Sequence, residues 1–96
     1  MYTELARQLG EKRMELTEAK IELRHAKDDL EIAEIETKAD VDYKALGSNN
    51  NERDIAMDAI LLDVCHALRA RISDATDKVE RLEAEYEALH DVKTAH

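Results

Sequence analysis

The sequence predicts an all-α protein, two long antiparallel helices forming a coiled-coil hairpin that dimerises into a four-helix section. Three observations predict it. The 96 residues contain no proline, phenylalanine or tryptophan, are 39% charged, and are rich in Ala, Leu, Glu, Lys and Arg, the composition of long helices. Leucines recur every seventh residue at 9, 16, 23 and 30, the spacing of a coiled-coil seam. One of only two glycines, Gly47, sits near the midpoint inside Leu46-Gly47-Ser48-Asn49-Asn50-Asn51-Glu52. The chain is read as one domain over 1–96, with helix 1 over 3–46, a turn at 47–50 and helix 2 over 51–94.

Helix 1 carries Leu9, Leu16, Leu23 and Leu30 at one core position, with Ala19, Ala26 and Ala33 at the other and Leu5 ahead of them. Alanine at a seam lets two helices approach closely. Lys12 interrupts the row, and Gly10 weakens the first turns by ~1 kcal/mol relative to Ala, so they are expected to fray. A second apolar row, Met14, Ile21, Ile32, Ile35, Ala39 and Leu46, lies roughly 140–200° round the helix from the leucines. A single partner helix cannot cover both rows.

In the turn, Gly47 is expected to adopt the left-handed conformation that ends helix 1. Asn49, with Glu52 three residues on, reads as a capping box opening helix 2, and Ser48 and Asn51 are alternative caps.

Helix 2 opens with Ile55 to Leu68, apolar nearly all round and broken only by Asp58, Asp63 and His66. Such a helix is expected to be buried on most sides. Beyond it the pattern narrows to one stripe: Ile72, Ala75, Val79, Leu82, Tyr86 and Leu89. Residues Asp91 to His96 are expected to fray. Laying the arms antiparallel pairs Leu30 with Leu68, Ala26 with Ile72, Leu23 with Ala75, Ala19 with Val79, Leu16 with Leu82 and Leu9 with Leu89. Large residues there often face small ones, as interdigitated packing requires. Near the turn the alignment fails, bringing Asp40 against Asp58. The apolar residues there form a different surface: Ile32, Ile35, Ala39 and Leu46 on one arm, Ile55, Ala59, Ile60, Leu62 and Val64 on the other. Its expected cover is a second copy related by a twofold axis.

The formal charge of −9 argues against sequence-independent binding of nucleic acid, which relies on Lys and Arg neutralising phosphates. Arg7, Lys12, Arg13, Lys20, Arg24 and Lys27 alternate with acids, the pattern of a solvated face laced with ion pairs. A single cysteine allows no intrachain disulfide and fits a reducing compartment. No apolar run approaches the ~18 residues that a membrane span needs, and Met-Tyr-Thr-Glu-Leu is no signal core. A cytoplasmic protein without membrane contact is expected.

No constellation carries chemistry. Cys65 and His66 are adjacent and diverge on a helix, so Cys65 reads as a buried structural residue. His25, His66, His90 and His96 show no zinc-helix spacing. Asp28-Asp29 and Asp40-Asp42 read as solvated pairs, and the turn lacks the glycines and lysine of a phosphate cradle. Two long helices also offer no cavity of a few hundred cubic ångströms. No catalytic residue, metal, cofactor or small-molecule substrate is expected, and the chain does not read as an enzyme.

Tyr43-Lys44-Ala45-Leu46-Gly47-Ser48-Asn49, followed by Glu52-Arg53, resembles the turn of small uncharacterised helical-hairpin proteins encoded by bacteriophages and prophages, in which it joins arms rich in Ala, Glu, Leu and Arg. Asn50 and Asn51 stand where acidic residues are more usual. The resemblance implies a phage accessory protein from a replication or recombination neighbourhood, working in the host cytoplasm, and supplies no catalytic residues. Length, acidity and a central turn are also similar to the secreted WxG-motif hairpins. The likeness is architectural only, because Ala45-Leu46-Gly47 replaces the tryptophan motif and Tyr86 to His90 lacks the acid of the secretion signal. Two functions follow as expectations: a dimeric adaptor that docks other proteins, and an acidic imitator of nucleic acid that blocks a nuclease, recombinase or defence protein.

Overall fold

The computed structural model describes residues 2–95, with side chains described for 3–92. Three α-helices and one 3₁₀ turn account for nearly all of them: α1 Tyr2–Asp40, the 3₁₀ turn Tyr43–Leu46, α2 Asn50–Val64 and α3 His66–Ala95. There is no strand among the described residues. The chain divides into two compact units, one formed by the N-terminal part of α1 to His25 with α3 from Ser73, the other by Ala26–Ile72.

In the first unit, Ala19, Val79 and Leu82 form a buried cluster against which Leu16 and Leu23 pack. Leu9 is also buried. Removing a Val or Leu side chain from water contributes roughly 1.5–3 kcal/mol, so Val79 and Leu82 carry much of what holds this unit together. Ion pairs flank the strip: Lys12 to Glu85 at 2.8 Å, Lys20 to Glu83 at 3.8 Å and Lys78 to Glu22 at 3.4 Å. The partner number falls as the α1 number rises. Exposed pairs of this kind add little to stability and chiefly bias register. Lys12, the residue that interrupts the leucine row, is half-buried and bonds both Glu85 and Glu15. Those carboxylates raise the pKa of its ammonium, while Glu85's own is lowered by the Lys12 hydrogen bond.

In the second unit, Ala26 and Cys65 are fully buried and Met57 and Leu61 nearly so. Asp29 pairs with Arg71 at 2.7 Å and Glu34 with Arg69 at 3.7 Å.

The helices and the turn differ from expectation in three places. Helix 1 was expected to reach Leu46, yet α1 ends at Asp40, with only Val41 N–H still bonded back, to Thr37 O. Asp40 and Asp42 place negative charge at the negative end of the helix dipole, and a β-branched valine lies between them. Asp42 is extended (φ −77°, ψ 96°) and leads into the 3₁₀ turn, where Ala45 N–H bonds Asp42 O at 3.1 Å. The connection therefore runs from 41 to 49 rather than 47 to 50.

Helix 2 was expected to run unbroken over 51–94. It is instead two helices meeting at Cys65, whose dihedrals (φ −95°, ψ 5°) leave the α region while Cys65 N–H still bonds Leu61 O and Arg69 N–H bonds Cys65 O. The break falls where the spacing of buried positions changes. Met57, Leu61 and Cys65 follow one another at intervals of four, whereas the row from Cys65 through Leu68, Ile72, Ala75, Val79 and Leu82 alternates three and four. A repeat of four within a heptad row is a stutter, which locally unwinds the supercoil of packed helices. Toward the C-terminus α3 continues to Ala95, through most of the segment expected to fray, and His96 lies outside the described residues.

Gly47 is the third difference. Its backbone is extended (φ 177°, ψ 178°), a conformation open to any residue, and no glycine has positive φ among the described residues. Space is what requires glycine here. A Cβ at Gly47 would lie 2.7 Å from Glu52 Cβ and 3.2 Å from Arg53 N, whereas one at Gly10 would meet nothing within 4 Å. The two glycines should respond oppositely to substitution. Gly10→Ala should stabilise the chain by ~1 kcal/mol through helix propensity, and Gly47→Ala should destabilise it by about 1–3 kcal/mol through overpacking. Denaturant melts followed by circular dichroism give both values; equal effects at the two positions would contradict the packing seen around Gly47.

Candidate functional site

The residues that differ most from repetitive helix are gathered in the second unit, between Val41 and Asp58. Asn49 is the N-cap of α2, its Oδ1 accepting from Glu52 N–H at 2.9 Å. The Glu52 carboxylate reaches one residue further back than in the usual capping box, accepting from Ser48 N–H at 2.9 Å and the Ser48 hydroxyl at 2.7 Å. Those two bonds hold its pKa below the usual carboxylate range, the backbone bond contributing most. Arg53 ties the glycine in place, donating from Nε to Gly47 O at 3.0 Å and from Nη1 to Asn50 Oδ1 at 3.4 Å. Its guanidinium carbon also stands 6.0 Å from the centre of the Tyr43 ring. The Tyr43 hydroxyl in turn donates to Asp54 Oδ1 at 2.5 Å, and that bond raises the Tyr43 pKa.

Beside this network lies an open hollow of about 500 Å³, lined by Lys38, Tyr43, Asp54, Met57 and Asp58. It is open to solvent and is not an enclosed cavity.

The predicted residues fall into three groups. Among the seam residues Leu9, Ala19, Ala26, Val79 and Leu82 are buried, while Leu16, Leu23, Leu30, Leu68, Ile72, Ala75 and Leu89 are half-buried. Among the residues assigned to self-association Ile32, Ile35, Ala39, Ile55, Leu62 and Val64 are exposed, whereas Leu46 and Ile60 are half-buried. Among the turn residues Ser48, Asn49 and Glu52 are joined directly, and Gly47 enters through Arg53. Within a single chain Ile55 and Leu62 are each 62% exposed, so this chain by itself does not bury Ile55 to Leu68 on most sides.

Sequence reasoning missed the Tyr43–Asp54 bond and the role of Arg53, because it placed Tyr43 inside helix 1. The signal available was the acidic pair Asp40 and Asp42 just ahead of Tyr43, unfavourable at a helix C-terminus. No group of His, Cys, Asp and Glu among the described residues is arranged to hold a metal ion. Tyr86 and His90 stack with ring centres 6.2 Å apart. No helix among the described residues is long and apolar enough to cross a membrane. Compared with protein-family models, curated proteins and solved structures, the chain matches none of them.

The network should titrate in a defined order. A depressed folded-state pKa means that the ordering due to Glu52 is present above the usual glutamate range and is lost as pH falls through the Glu52 midpoint. Tyr43, raised by its bond to Asp54, holds that bond below the usual tyrosine range and loses it as pH rises through its own midpoint. Carboxyl and ring NMR against pH checks both, with Glu52 expected to titrate below ordinary glutamates and the Ser48 amide shifting with it. Independence of the Ser48 amide from Glu52 would refute the coupling.

Proposed function

We propose that this chain is a non-enzymatic interaction module, an antiparallel helical hairpin that self-associates into a dimer and docks other proteins, as expected of a phage or prophage accessory protein. One observation carries the reading: the exposed apolar residues of the second unit. Ile32, Ile35, Ile55, Leu62 and Val64 are each more than half exposed. Scattered apolar side chains are normal on a surface, but these are large and regularly spaced. Ile32, Ile35 and Ala39 follow intervals of three and four, and Ile55, Ala59 and Leu62 follow four and three, the spacing of helix faces that pack against further helices. Ion pairs linking Asp29 with Arg71 and Glu34 with Arg69 support an antiparallel pairing around the turn.

Nucleic-acid imitation is the less favoured reading. Arg7 bonds Glu4 and Glu11, while Glu22, Glu83 and Glu85 pair with Lys78, Lys20 and Lys12. Lysines and arginines that interrupt the acidic rows on both arms weaken the likeness to a continuous row of phosphates.

Leu62→Asp is the sharper probe of self-association, because Leu62 is exposed while Ile60 is half-buried and its replacement would also disturb the fold. Light scattering during size exclusion should give a dimer that persists at high salt, since apolar contacts are little screened, and Leu62→Asp should give a monomer of unchanged helicity. A monomeric parent chain, or a dimer indifferent to both Leu62→Asp and Ile35→Asp, would overturn the assignment.

A further inference from the structure

Four of the large apolar residues left exposed, Met14, Ile21, Ile32 and Ile35, belong to α1, which is unbroken from Tyr2 to Asp40. At 100° per residue they lie within roughly 40° of one line along that helix, on the side away from buried Ala19 and Ala26. Thr17 falls on the same line, and its hydroxyl is bonded back to Arg13 O at 2.9 Å, so its polar group is already satisfied. Between Gly10 and Ala39, charge interrupts the line only at Arg24 and Asp28. Both are exposed, and their side chains form no ion pair among the described residues.

The order of residues on this line is symmetric about Ala26. Counting outward, Arg24 and Asp28 stand two residues away on either side, Ile21 and Ile32 five and six, Thr17 and Ile35 nine and nine, and Met14 and Ala39 twelve and thirteen. A second copy laid antiparallel on this face, with a twofold axis level with Ala26, therefore meets it layer by layer over about 38 Å. Arg24 falls on Asp28, Ile21 on Ile32, Thr17 on Ile35 and Met14 on Ala39, and each contact occurs twice. A parallel pairing in register sets Arg24 on Arg24 and Asp28 on Asp28, so charge selects the antiparallel one.

We propose that a second copy of this chain covers this face of α1, running antiparallel and aligned at Ala26, with the two Arg24–Asp28 contacts setting the register. The inference rests on the reading of the chain as self-associating, and adds which way the two copies run and where they align. The contribution of α2 around Leu62 is a separate part of the same dimer. At one edge of the line Glu18 falls beside Glu36 of the second copy, and this like-charge pair limits affinity.

The test is the dimer dissociation constant of the full chain and its variants by sedimentation equilibrium, with helicity followed by circular dichroism. Arg24→Asp and Asp28→Arg should each weaken dimerisation by roughly a hundredfold, because each sets two like-charge contacts in every dimer. Asp28→Arg should do so although it lowers the net negative charge, which by itself would favour association. Mixing the two variants should restore a heterodimer of near-parental affinity, since both Arg-on-Asp contacts re-form between the chains. Contacts within one chain cannot produce that result. Ile21→Asp should also weaken the dimer, and Glu36→Lys should strengthen it by roughly threefold, the scale of exposed ion pairs. Each substituted residue is exposed, so helicity should stay at the parental value. A dimer indifferent to Arg24→Asp, Asp28→Arg and Ile21→Asp, or a mixture no tighter than either variant alone, overturns the register and leaves self-association standing. A monomeric parent chain overturns both and means that another partner covers this face.

Discussion

Close approach of helix backbones is the constraint on which the rest of this molecule depends. The three most deeply buried side chains, Ala19, Ala26 and Cys65, are all small, at 1%, 0% and 0% exposure. Small side chains at an interface draw the helices together until backbones and Cβ atoms exclude water, and they leave little width for larger residues between them. The buried strip is consequently narrow. In the first unit Val79 and Leu82 fill what Ala19 leaves open, and in the second Met57 and Leu61 pack alongside. Larger apolar residues off the strip, such as Ile32, Ile35, Ile55 and Leu62, have no helix of this chain to cover them.

Electrostatics works at the edges of that strip rather than within it. Cations on one helix meet acids on another at the borders of the buried row, and Lys12, set into the row itself, has both Glu15 and Glu85 as partners. A lysine at a seam position is tolerated because its stem stays in the strip while its ammonium reaches water and carboxylate. Charge acts differently at the turn. Asp40 and Asp42 oppose the dipole of α1 and end it, while Glu52 sits where the dipole of α2 favours an acid and is held there by Ser48. Acidic side chains oppose the dipole at the end of one helix and favour it at the start of the next.

The turn is consequently a built structure and not a mere link. Nine residues, 41–49, connect α1 to α2 where a shorter loop would serve. They hold an extended glycine, a 3₁₀ turn and side-chain bonds running from Tyr43 to Asp54. Order of this kind lowers the entropy that would be lost on docking a partner at the turn.

All-helical character was legible in composition and period, because an absence of proline and a recurrence of leucine every seventh residue are local properties that no distant contact can reverse. The cap was legible for the same reason, since Asn49 and Glu52 interact across three residues of chain. Other features were decided by tertiary structure. Gly47 follows from the space left by Glu52 and Arg53, not from its own backbone preference. The break at Cys65 falls where the spacing of the buried row changes from fours to alternating threes and fours. Sequence by itself determined which segments are helical and where a cap can form, because short-range hydrogen bonds and periodicity settle both. Only the tertiary structure decided what space Gly47 has and which apolar residues stay exposed within the chain, because both depend on what packs against them.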